Sequence, residues 1–313
     1  MFPGEDACVR YLSRLRWPDG KPCPNRCESE FASYRGGRVI FCRSCRRKVS
    51  LTAGTIMHRS HTDLLTWFYG AFFVTTLTPG ISAVQFQKQL GIKRYETAFQ
   101  LLHKLRAAML NPEREPLRGV VEVDETYVGG HESGRSGGRG MLGKTLVIGA
   151  VELRPTSDPR RAVVAGRVRF RVAEAATSPV LTRFVEDHIE SGSTVVTDSW
   201  QAYLRLESRG YKHVARLVGH KTNASQVLPL IHLEFANLKT WLRGTHHSRV
   251  ERRHLQAYLN EFAFRHNRRF WRFSAFQTVL RLGLKQRPQE YQALYGADEF
   301  GKNVHSGAFR PRA

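Results

Sequence analysis

The pattern of apolar and polar positions predicts an α/β arrangement in the second half of the chain. Short runs rich in β-branched residues alternate with amphipathic segments, and turn residues separate them. The expected strands cover residues 119–128, 144–152, 161–172, 194–197 and 211–215, and helices are expected at 178–190 and after Ser199. This order of elements predicts a mixed sheet with flanking helices.

Two of the predicted strands carry an aspartate where their apolar run ends. Asp124 follows Val120 to Val123, and Asp198 follows Thr194 to Thr197. Three strands, then a helix and a further strand, is the order of an RNase H-like mixed sheet, in which the two aspartate strands would be neighbours. Two hard cations about 4 Å apart can be held by carboxylates and can bind the attacking and leaving oxygens of a phosphodiester. For either aspartate alone, a strand-end cap or a turn residue is the plainer alternative.

The charge of the chain changes the meaning of these carboxylates. Lys and Arg number 49 against 27 Asp and Glu among 313 residues, which gives a formal net charge of +22 and a sequence pI of about 10.4. Such an excess favours a nucleic acid as partner. Carboxylates repel nearby phosphates unless a divalent cation reverses the local charge. The sequence therefore indicates metal-dependent chemistry on a nucleic acid.

The apolar segments do not predict a membrane protein. The most apolar one, residues 67–77, is well short of the ~20 residues that span a bilayer. The first residues lack a basic end leading into an apolar stretch, so no secretory signal is expected. We therefore expect the chain in the cytoplasm or at the nucleoid. Five cysteines in that compartment indicate metal ligands or free thiols rather than disulfides.

Four of the five cysteines form two close pairs. Cys23 and Cys27 make the first pair and Cys42 and Cys45 the second, with strand-like residues between them. Four such thiolates predict one tetrahedral Zn²⁺, which would supply much of the folding free energy of a small ribbon. The first pair has three intervening residues where two are usual, and two unrelated pairs of free thiols are the alternative. Cys8 stands apart and is expected to be a buried thiol. The arginines of this ribbon fit either DNA contact or protein docking.

The segment 61–110 has helical spacing. Ser82 followed by Gln85 resembles a capping box before a short helix, and a second helix begins near Arg94, after Gly91. The pair fits a helix-turn-helix, and a plain helical hairpin between two domains is the alternative. The residues predicted to pack inward are Ala98, Leu101, Leu102 and Leu105. Those predicted to face a DNA groove are Arg94, Glu96, Thr97, Gln100, His103 and Lys104.

A third metal ligand is expected from the amphipathic helix 228–242. His232 and Glu234 compete for this role. Glutamate is the better chemical match for Mg²⁺. His232 has the better geometry, because it lies seven residues before Lys239 and within ~20° of it around the helix, whereas Glu234 lies ~160° from His232. The predicted buried stripe comprises Leu228, Ile231, Phe235, Leu238 and Leu242.

Taken with these residues, the chain resembles a bacterial insertion-sequence transposase of the DDE type with an N-terminal zinc ribbon. The similarity runs from about Cys23 to Arg269 and rests on ordered landmarks. They are Phe41-Cys42 to Cys45 and Ser50, Gly54 to Met57, Gly80 to Ala83, Val123 to Tyr127 with Gly129-Gly130, Gly138 to Gly140, Gly143 to Thr145, Gly149 to Glu152, Thr197-Asp198, Leu238-Lys239, Gly244 to His247, His254 to Gln256, Tyr258-Leu259 and Glu261 to Arg265.

This resemblance implies an RNase H-like fold, two catalytic Mg²⁺ ions that Mn²⁺ can replace, and one structural Zn²⁺. It assigns Asp124 and Asp198 to the first two acidic positions. The third position in such proteins is Glu in some members and Asn or His in others, usually seven residues before a lysine, which here selects His232 with Lys239. The implied activity is cleavage of double-stranded DNA at the ends of an insertion element and strand transfer into a target site. Because two ends are joined, a homo-oligomer on DNA is expected.

The expected domains are a zinc ribbon at 1–58, a helix-turn-helix-like section at 59–115, an RNase H-like catalytic domain at 116–285 and a weakly ordered tail at 286–313. Gly129 to Gly143 is expected to be a mobile loop. A basic flank for phosphate contact is expected from Arg249, Arg252, Arg253, Arg265, Arg268, Arg269 and Arg272, interleaved with Tyr258, Phe262, Phe264 and Trp271. The alternative functions are a non-enzymatic DNA-binding regulator and an inactive transposase remnant.

Overall fold

The computed structural model describes residues 2–28, 30–34, 36–129, 144–217, 224–246 and 250–288. Most of the predicted mobile loop (130–143), Arg249, and the predicted tail beyond residue 288 therefore lie outside the described residues. The described residues divide into two compact units, one formed by residues up to 111 with residues 270–288, and the other by residues 112–269. Each unit is described by itself below.

The first unit combines a small sheet with a helical cluster. Its elements are α1 (Glu5–Arg16), β1 (Phe31–Tyr34), β2 (Val39–Cys42), β3 (Lys48–Ser50), α2 (Leu64–Thr76), α3 (Ala83–Gln89) and α4 (Tyr95–Ala108), and α9 (Arg272–Lys285) returns to it from the far end of the chain. The three strands form an antiparallel sheet in the order β1-β2-β3. The apolar helix α2 packs against α1, α4 and α9 and forms the centre of this unit.

Helices α3 and α4 lie where the sequence predicted a helix-turn-helix-like pair, and the choice between that motif and a plain helical hairpin stays a prediction. The Ser82 side chain accepts a hydrogen bond from the Gln85 backbone at 3.2 Å, as expected of an N-cap. Gly91 provides the positive φ of +62° in the turn between the two helices. The four residues predicted to pack inward, Ala98, Leu101, Leu102 and Leu105, are all buried.

One residue of the predicted groove-facing set is placed differently. The ring of His103 is buried and stacks on Phe99, with ring centroids 4.2 Å apart. The expectation that His103 faces a DNA groove is therefore wrong. Phe99 lies four residues before His103, and Arg106 lies three residues after it. Residues at these spacings share one face of a helix, so His103 lies beside the buried face of α4.

The second unit is built on a mixed sheet of five strands. Its elements are β4 (Val120–Val128), β5 (Thr145–Pro155), β6 (Val163–Ala173), α5 (Ser178–His188), β7 (Thr194–Asp198), β8 (Lys212–Arg216), α6 (Ala224–Val227), α7 (Pro229–His246) and α8 (Arg252–His266). The strand order is β6-β5-β4-β7-β8. Strands β4, β5 and β6 are antiparallel to one another, whereas β7 is parallel to β4 and β8 is parallel to β7. This mixed sheet flanked by helices is the RNase H-like architecture that the order of elements predicted, and the cysteine cluster with its small antiparallel sheet accompanies it as predicted.

The side chains of the central strand alternate between two cores. Val121 and Val123 of β4 face a core that includes α5, whereas Val128 faces a core formed with α7 and α8. Because strand side chains alternate with a period of two, Glu122, Asp124 and Thr126 share the face of Val128. Helix α7 contributes Ile231, Phe235, Leu238 and Leu242 to this second core, and Leu228, just before it, is also buried there. The predicted buried stripe is thus confirmed.

The outer edge of strand β6 is covered by polar side chains from α8 and the residues after it. Gln256 Oε1 accepts from Val172 N at 2.9 Å, and its Nε2 donates to Phe170 O at 3.3 Å. Asn267 makes the same kind of double contact with the backbone of Val168, at 2.8 and 3.2 Å. These bonds satisfy backbone groups that a bare edge would offer to another chain.

The chain divides differently from the sequence-based domains at residues 270–285. Helix α9 is grouped with the first unit rather than with the sheet. The Ile56 N–H donates to Gly283 O at 3.1 Å, and a Cβ on Gly283 would lie 2.6 Å from Ile56 Cδ1. This close approach holds α9 against the segment that precedes α2. Among the described residues, no helix combines the length and apolar character that crossing a membrane requires.

Candidate functional site

The four paired cysteines converge on one point. The Sγ atoms of Cys23, Cys27, Cys42 and Cys45 all lie within 4.8 Å of one another. Tetrahedral Zn²⁺ with Zn–S bonds of about 2.3 Å requires sulfur atoms roughly 3.8 Å apart, and Cys23 Sγ lies 3.4 Å from Cys45 Sγ. The donor set and its spacing therefore fit one zinc ion. Cys8 is buried apart from this cluster, and burial, with Glu5 and Asp63 nearby, raises the pKa of its thiol to about 11.

The irregular first pair is accommodated by a tight turn. Arg26 N donates to Cys23 O at 2.9 Å, and Arg26 has a φ of +52°, in the left-handed region. The second pair has the corresponding turn one residue later, since Arg46 N donates to Cys42 O at 2.9 Å with a φ of +60°. In the first turn the left-handed residue precedes the second cysteine, and in the other it follows. The extra residue thus leaves Cys27 within reach of the other three thiols.

Asp124 and Asp198 lie on neighbouring strands and face the same side of the sheet. Strands β4 and β7 are parallel, with Glu122 opposite Val196, so the same register places Asp124 opposite Asp198 two residues further on. Val196 belongs to the core on the α7 side, as the face of Asp124 does. Strand β7 ends at Asp198, whereas β4 continues four residues beyond Asp124. Asp124 is therefore inside its strand, level with the end of its neighbour.

The two aspartates influence each other electrostatically. Burial raises the pKa of Asp198, the hydrogen bond that it accepts from Trp200 N at 3.1 Å opposes this, and the charge of Asp124 raises that pKa further. Asp124 Oδ1 accepts the Glu125 N–H at 2.7 Å. A divalent cation between such carboxylates would remove their mutual repulsion. A divalent cation would therefore be favoured close to the two carboxylates.

His232 of α7 is placed directly at Asp124. Its Nε2 lies 3.1 Å from Asp124 Oδ2. The pair lacks the alignment of a hydrogen bond, and this buried nitrogen has no hydrogen-bond partner among the described residues. Neighbouring ligand atoms of an octahedral Mg²⁺, with bonds of about 2.1 Å, are roughly 3.0 Å apart. The spacing of the two atoms fits that of two ligands on one ion.

The competing residue, Glu234, faces away from the aspartates. Its side chain is buried, and Oε2 lies 3.0 Å from Nδ1 of His266, the last residue of α8. The ~160° that separates His232 and Glu234 around α7 thus sends one side chain to the sheet face and the other to the neighbouring helix. In this structure Glu234 is part of the packing between α7 and α8.

Lys239 lies two turns further along the same face of α7. Its Nζ donates to Thr126 Oγ1 at 2.6 Å, and Thr126 shares the face of Asp124, two residues along β4. Burial lowers the pKa of Lys239, the nearby Lys144 lowers it further, and Asp124 opposes both. The ammonium group is therefore held beside the aspartate through a neutral hydroxyl.

The three candidate ligands do not form one compact cluster. Among the described residues, only the four cysteines bring three or more His, Cys, Asp or Glu ligand atoms within 4.8 Å of one another. Asp124 and His232 are in contact, while Asp198 approaches from the next strand without joining that cluster. The three side chains therefore do not share the compact ligand spacing of the cysteine cluster.

Sequence analysis missed a buried pair behind Asp124. The Tyr203 hydroxyl donates to Glu125 Oε1, joining the turn after β7 to strand β4. Burial raises the pKa of Glu125 to about 8, and the charges of Asp124 and Asp198 add to this, while the Tyr203 hydrogen bond opposes it. No signal in the sequence links these two positions, which are 78 residues apart.

Sequence analysis also missed Glu122, which has a readable position. It lies two residues before Asp124, hence on the same face of the strand, yet it is buried and accepts backbone N–H groups from the start of α7. Its spacing of two residues from Asp124 could have identified it as a second carboxylate on the same face of the strand.

Several arginines of the predicted basic flank are engaged within the second unit. Arg265 Nη1 lies 3.4 Å from Glu261 Oε1, and Arg268 stacks over Phe264 at 4.1 Å from the ring centroid. Arg269 donates to Ala165 O at 2.6 Å. The interleaved rings of Tyr258, Phe262 and Phe264 are buried. These side chains stabilise the packing of α8, so the flank offers fewer free groups to phosphate than its composition indicates.

Comparison with known proteins gives one family. A family model described as an ISXO2-like transposase domain matches residues 116–267. The match covers the five-stranded sheet with α5 to α8, and it includes Asp124, Asp198, His232 and Lys239. A search of curated proteins found no match.

Proposed function

Residues 116–267 belong to the ISXO2-like transposase family, and on this premise we propose that the chain cuts DNA at the ends of an insertion element and joins those ends to a target site. The family supports a transposase function in general. The finer proposal is a two-metal mechanism that uses Asp124, Asp198 and His232 as metal ligands.

One observation carries this proposal. His232 Nε2, without a hydrogen-bond partner among the described residues, faces the carboxylate of Asp124 at 3.1 Å, on the side of the sheet that Asp198 shares. A buried imidazole nitrogen beside a carboxylate oxygen, without an aligned hydrogen bond, costs free energy unless both atoms bind a third group. A divalent cation satisfies both groups.

The residues of the site divide the work. When bound, two Mg²⁺ ions, or Mn²⁺ in their place, supply an activated nucleophile and neutralise charge at the leaving oxygen. Asp124 would hold both ions, with His232 on one side and Asp198 on the other. Lys239, which contacts the Thr126 hydroxyl, would turn its ammonium group to a DNA phosphate next to the bond that is cut.

Two displacements follow in turn. Water attacks the phosphorus at an element end, the P–O3′ bond breaks, and a 3′-hydroxyl is released. That hydroxyl then attacks a phosphodiester of the target, forming a new P–O3′ bond and releasing the 3′-hydroxyl of the target strand. Both are in-line displacements at phosphorus, so the same side chains serve both.

The rest of the chain would bind double-stranded DNA. A structural Zn²⁺ held by the four cysteines would order the ribbon, and the exposed start of α4, with Arg94 and Glu96, would enter a groove of the element end. The net charge of +22 supports contact with a polyanion. Because two ends are joined in one reaction, we propose that the chain works as a homo-oligomer on DNA, at the bacterial nucleoid.

The test is a strand-transfer assay. The full chain, loaded with zinc, is mixed with Mg²⁺, a duplex carrying the inverted repeats that flank its reading frame, and a supercoiled target plasmid. The proposal expects nicked ends with 3′-hydroxyls and then joined products, and an Asp198→Asn variant should yield neither. Binding of the repeats without any cleavage would indicate a DNA-binding regulator or an inactive remnant, whereas cleavage without joining would indicate a nuclease.

A further inference from the structure

The N-terminus of helix α7 lacks a capping group of its own. Leu228 stands at the position of the N-cap, and its apolar side chain cannot accept a hydrogen bond. Pro229 follows as the first helical residue and has no N–H to satisfy. The next backbone donors, on Leu230 and Ile231, still require an acceptor because they precede the first intrahelical bonds.

A carboxylate from the sheet takes this role. Glu122 Oε2 accepts from Leu230 N and from Ile231 N, each at 2.9 Å. The side chain of Glu122 is 1% exposed, so these bonds are made away from water. The negative charge also faces the positive end of the helix dipole. The start of α7 is thereby fixed to strand β4.

The Glu122 contact is the first of three along the same strand and helix. Glu122 meets Leu230 and Ile231, Asp124 meets His232, and Thr126 meets Lys239. From residue 122 to 126 a strand advances about 13 Å, and from 231 to 239 a helix advances about 12 Å. The first and last contacts are therefore spaced alike on the strand and on the helix, and the Asp124–His232 contact lies between them. Gly149 on β5, opposite Asp124, lets α7 approach, because a Cβ there would lie 2.5 Å from Phe235 Cε1.

We propose that Glu122 is a positioning residue that sets the register of α7 on β4 and so holds His232 and Lys239 at Asp124. This inference rests on the proposed function, since it assigns to Glu122 the placement of a metal ligand. Oε2 of Glu122 accepts two backbone hydrogen bonds at the start of α7, so we place its role in holding the helix rather than in the chemistry. Its effect on the reaction runs through the helix.

A second helix of the chain, α2, is capped by a glutamate in the same way, and comparing the two caps shows how the one at α7 differs. In the first unit, Glu5 accepts from Leu64 N and Leu65 N at 3.1 Å and so caps α2. Helix α2 carries none of the candidate ligands, so that cap serves packing. Glu122 caps a helix whose first turn carries His232 to the aspartate. A shift of α7 by one residue would move His232 about 100° around its axis, away from Asp124.

The experiment compares Glu122→Leu and Glu122→Gln with the wild-type chain, all zinc-loaded. Glu152→Gln is the matched control, because Glu152 is also buried in the same unit and its hydrogen bonds among the described residues go to Arg118, Arg154 and Arg167 rather than to α7. Three quantities are measured: amide exchange of residues 229–235, Mn²⁺ affinity by electron paramagnetic resonance without DNA, and kcat and KM for strand cleavage. The conservative Gln variant keeps a neutral oxygen acceptor.

The inference expects faster amide exchange at Leu230 and Ile231 in Glu122→Leu, together with a loss of roughly 10- to 100-fold in Mn²⁺ affinity and in kcat. The KM for DNA should stay nearly constant, and Glu122→Gln should recover part of both losses. If Glu122→Leu does not fold, the smaller shifts of Glu122→Gln decide. Unchanged Mn²⁺ affinity and kcat, or equal losses in Glu152→Gln, overturn it. A wild-type chain that cleaves nothing refutes the proposed function, while the Mn²⁺ comparison still decides the role of Glu122.

Discussion

His232 Nε2 lies 3.1 Å from Asp124 Oδ2, so two residues 108 positions apart in sequence, one on a helix and one on a strand, bring together a nitrogen and an oxygen that could both bind a metal ion. The contact has no aligned hydrogen bond, and neither sequence element predicts the other's position. This contact favours His232 over Glu234 as the candidate third ligand on grounds of geometry. Glutamate suits magnesium better, but the glutamate of this helix is turned to another partner.

Neutralising Asp124 should separate catalysis from DNA binding. Asp124→Asn removes one carboxylate oxygen and its charge, and Mg²⁺-dependent cleavage should fall at least about a hundredfold. DNA affinity should be equal or slightly higher, because a negative charge near the phosphates is lost. Gel-shift titrations and cleavage assays at one salt concentration measure both. Asp158→Asn, in an exposed turn, is the charge-matched control. Retained cleavage in Asp124→Asn would refute its assignment as a ligand.

His232 and Glu234 should fail in opposite ways when truncated. His232→Ala should lose most cleavage activity with little change in melting temperature, since it leaves the α7–α8 packing intact. Glu234→Ala should remove the buried contact with Nδ1 of His266 and lower stability by roughly 1 to 3 kcal/mol, as the loss of a buried polar partner does. Its activity per folded molecule should remain. Thermal melts and single-turnover cleavage distinguish the two, and the reverse ranking of activities would make Glu234 the ligand.

The cysteine cluster should bind one zinc ion per chain. Cys27→Ser and Cys42→Ser should each lose the metal and unfold the ribbon, because a three-stranded sheet of this size has too small a core to fold alone. Cys8→Ala is the control, since its thiol is buried outside the cluster, and it should keep the zinc. Elemental analysis of the purified variants gives the stoichiometry. A folded, zinc-free wild-type chain would contradict this prediction.

The sequence predicted the fold through local patterns that the structure then joins. The β-branched run ending at Asp198, the apolar stripe of α7 and the Ser82 cap are each readable from neighbouring residues, and each is found in place. The strand order of an RNase H-like sheet followed from the order of the elements. Local periodicity was therefore enough to predict these helices and strands and the side of each that is buried.

Contacts between distant segments were beyond such patterns. Gly149 and Gln256 were recognisable as landmarks without a physical role. The structure supplies the roles: Gly149 leaves space for Phe235 of α7, and Gln256 bonds to the backbone of the edge strand. The prediction of a basic flank was inaccurate in part for the same reason. Counting charges assumes that every arginine is exposed to solvent and ignores its contacts with other parts of the chain. The spacing of Arg265 from Glu261 on one helix face was a signal that this arginine has an internal partner.

Acid should destabilise the second unit through a single buried histidine. His188 is buried against Phe184, and its Nδ1 donates to Phe184 O at 2.9 Å. Burial lowers the pKa of His188 to about 2, and the neighbouring Arg171 and Arg114 lower it further. The folded state thus keeps the ring neutral at a pH where the unfolded chain, with a histidine pKa of about 6.5, takes up a proton.

The sign follows from this difference in proton uptake. Stability from neutral His188 is complete above pH 6.5 and declines as pH falls toward the folded pKa, by about 1.4 kcal/mol per pH unit. Between pH 6.5 and 5 the loss should reach about 2 kcal/mol. His188→Gln should be less stable at pH 7, since it loses the ring stacking, but its free energy of unfolding should fall less steeply below pH 6.5. Urea unfolding from pH 5 to 7.5 compares the two slopes, with His61→Gln, an exposed residue, as control. Equal slopes for wild type and His188→Gln would show that His188 takes up its proton in the folded chain.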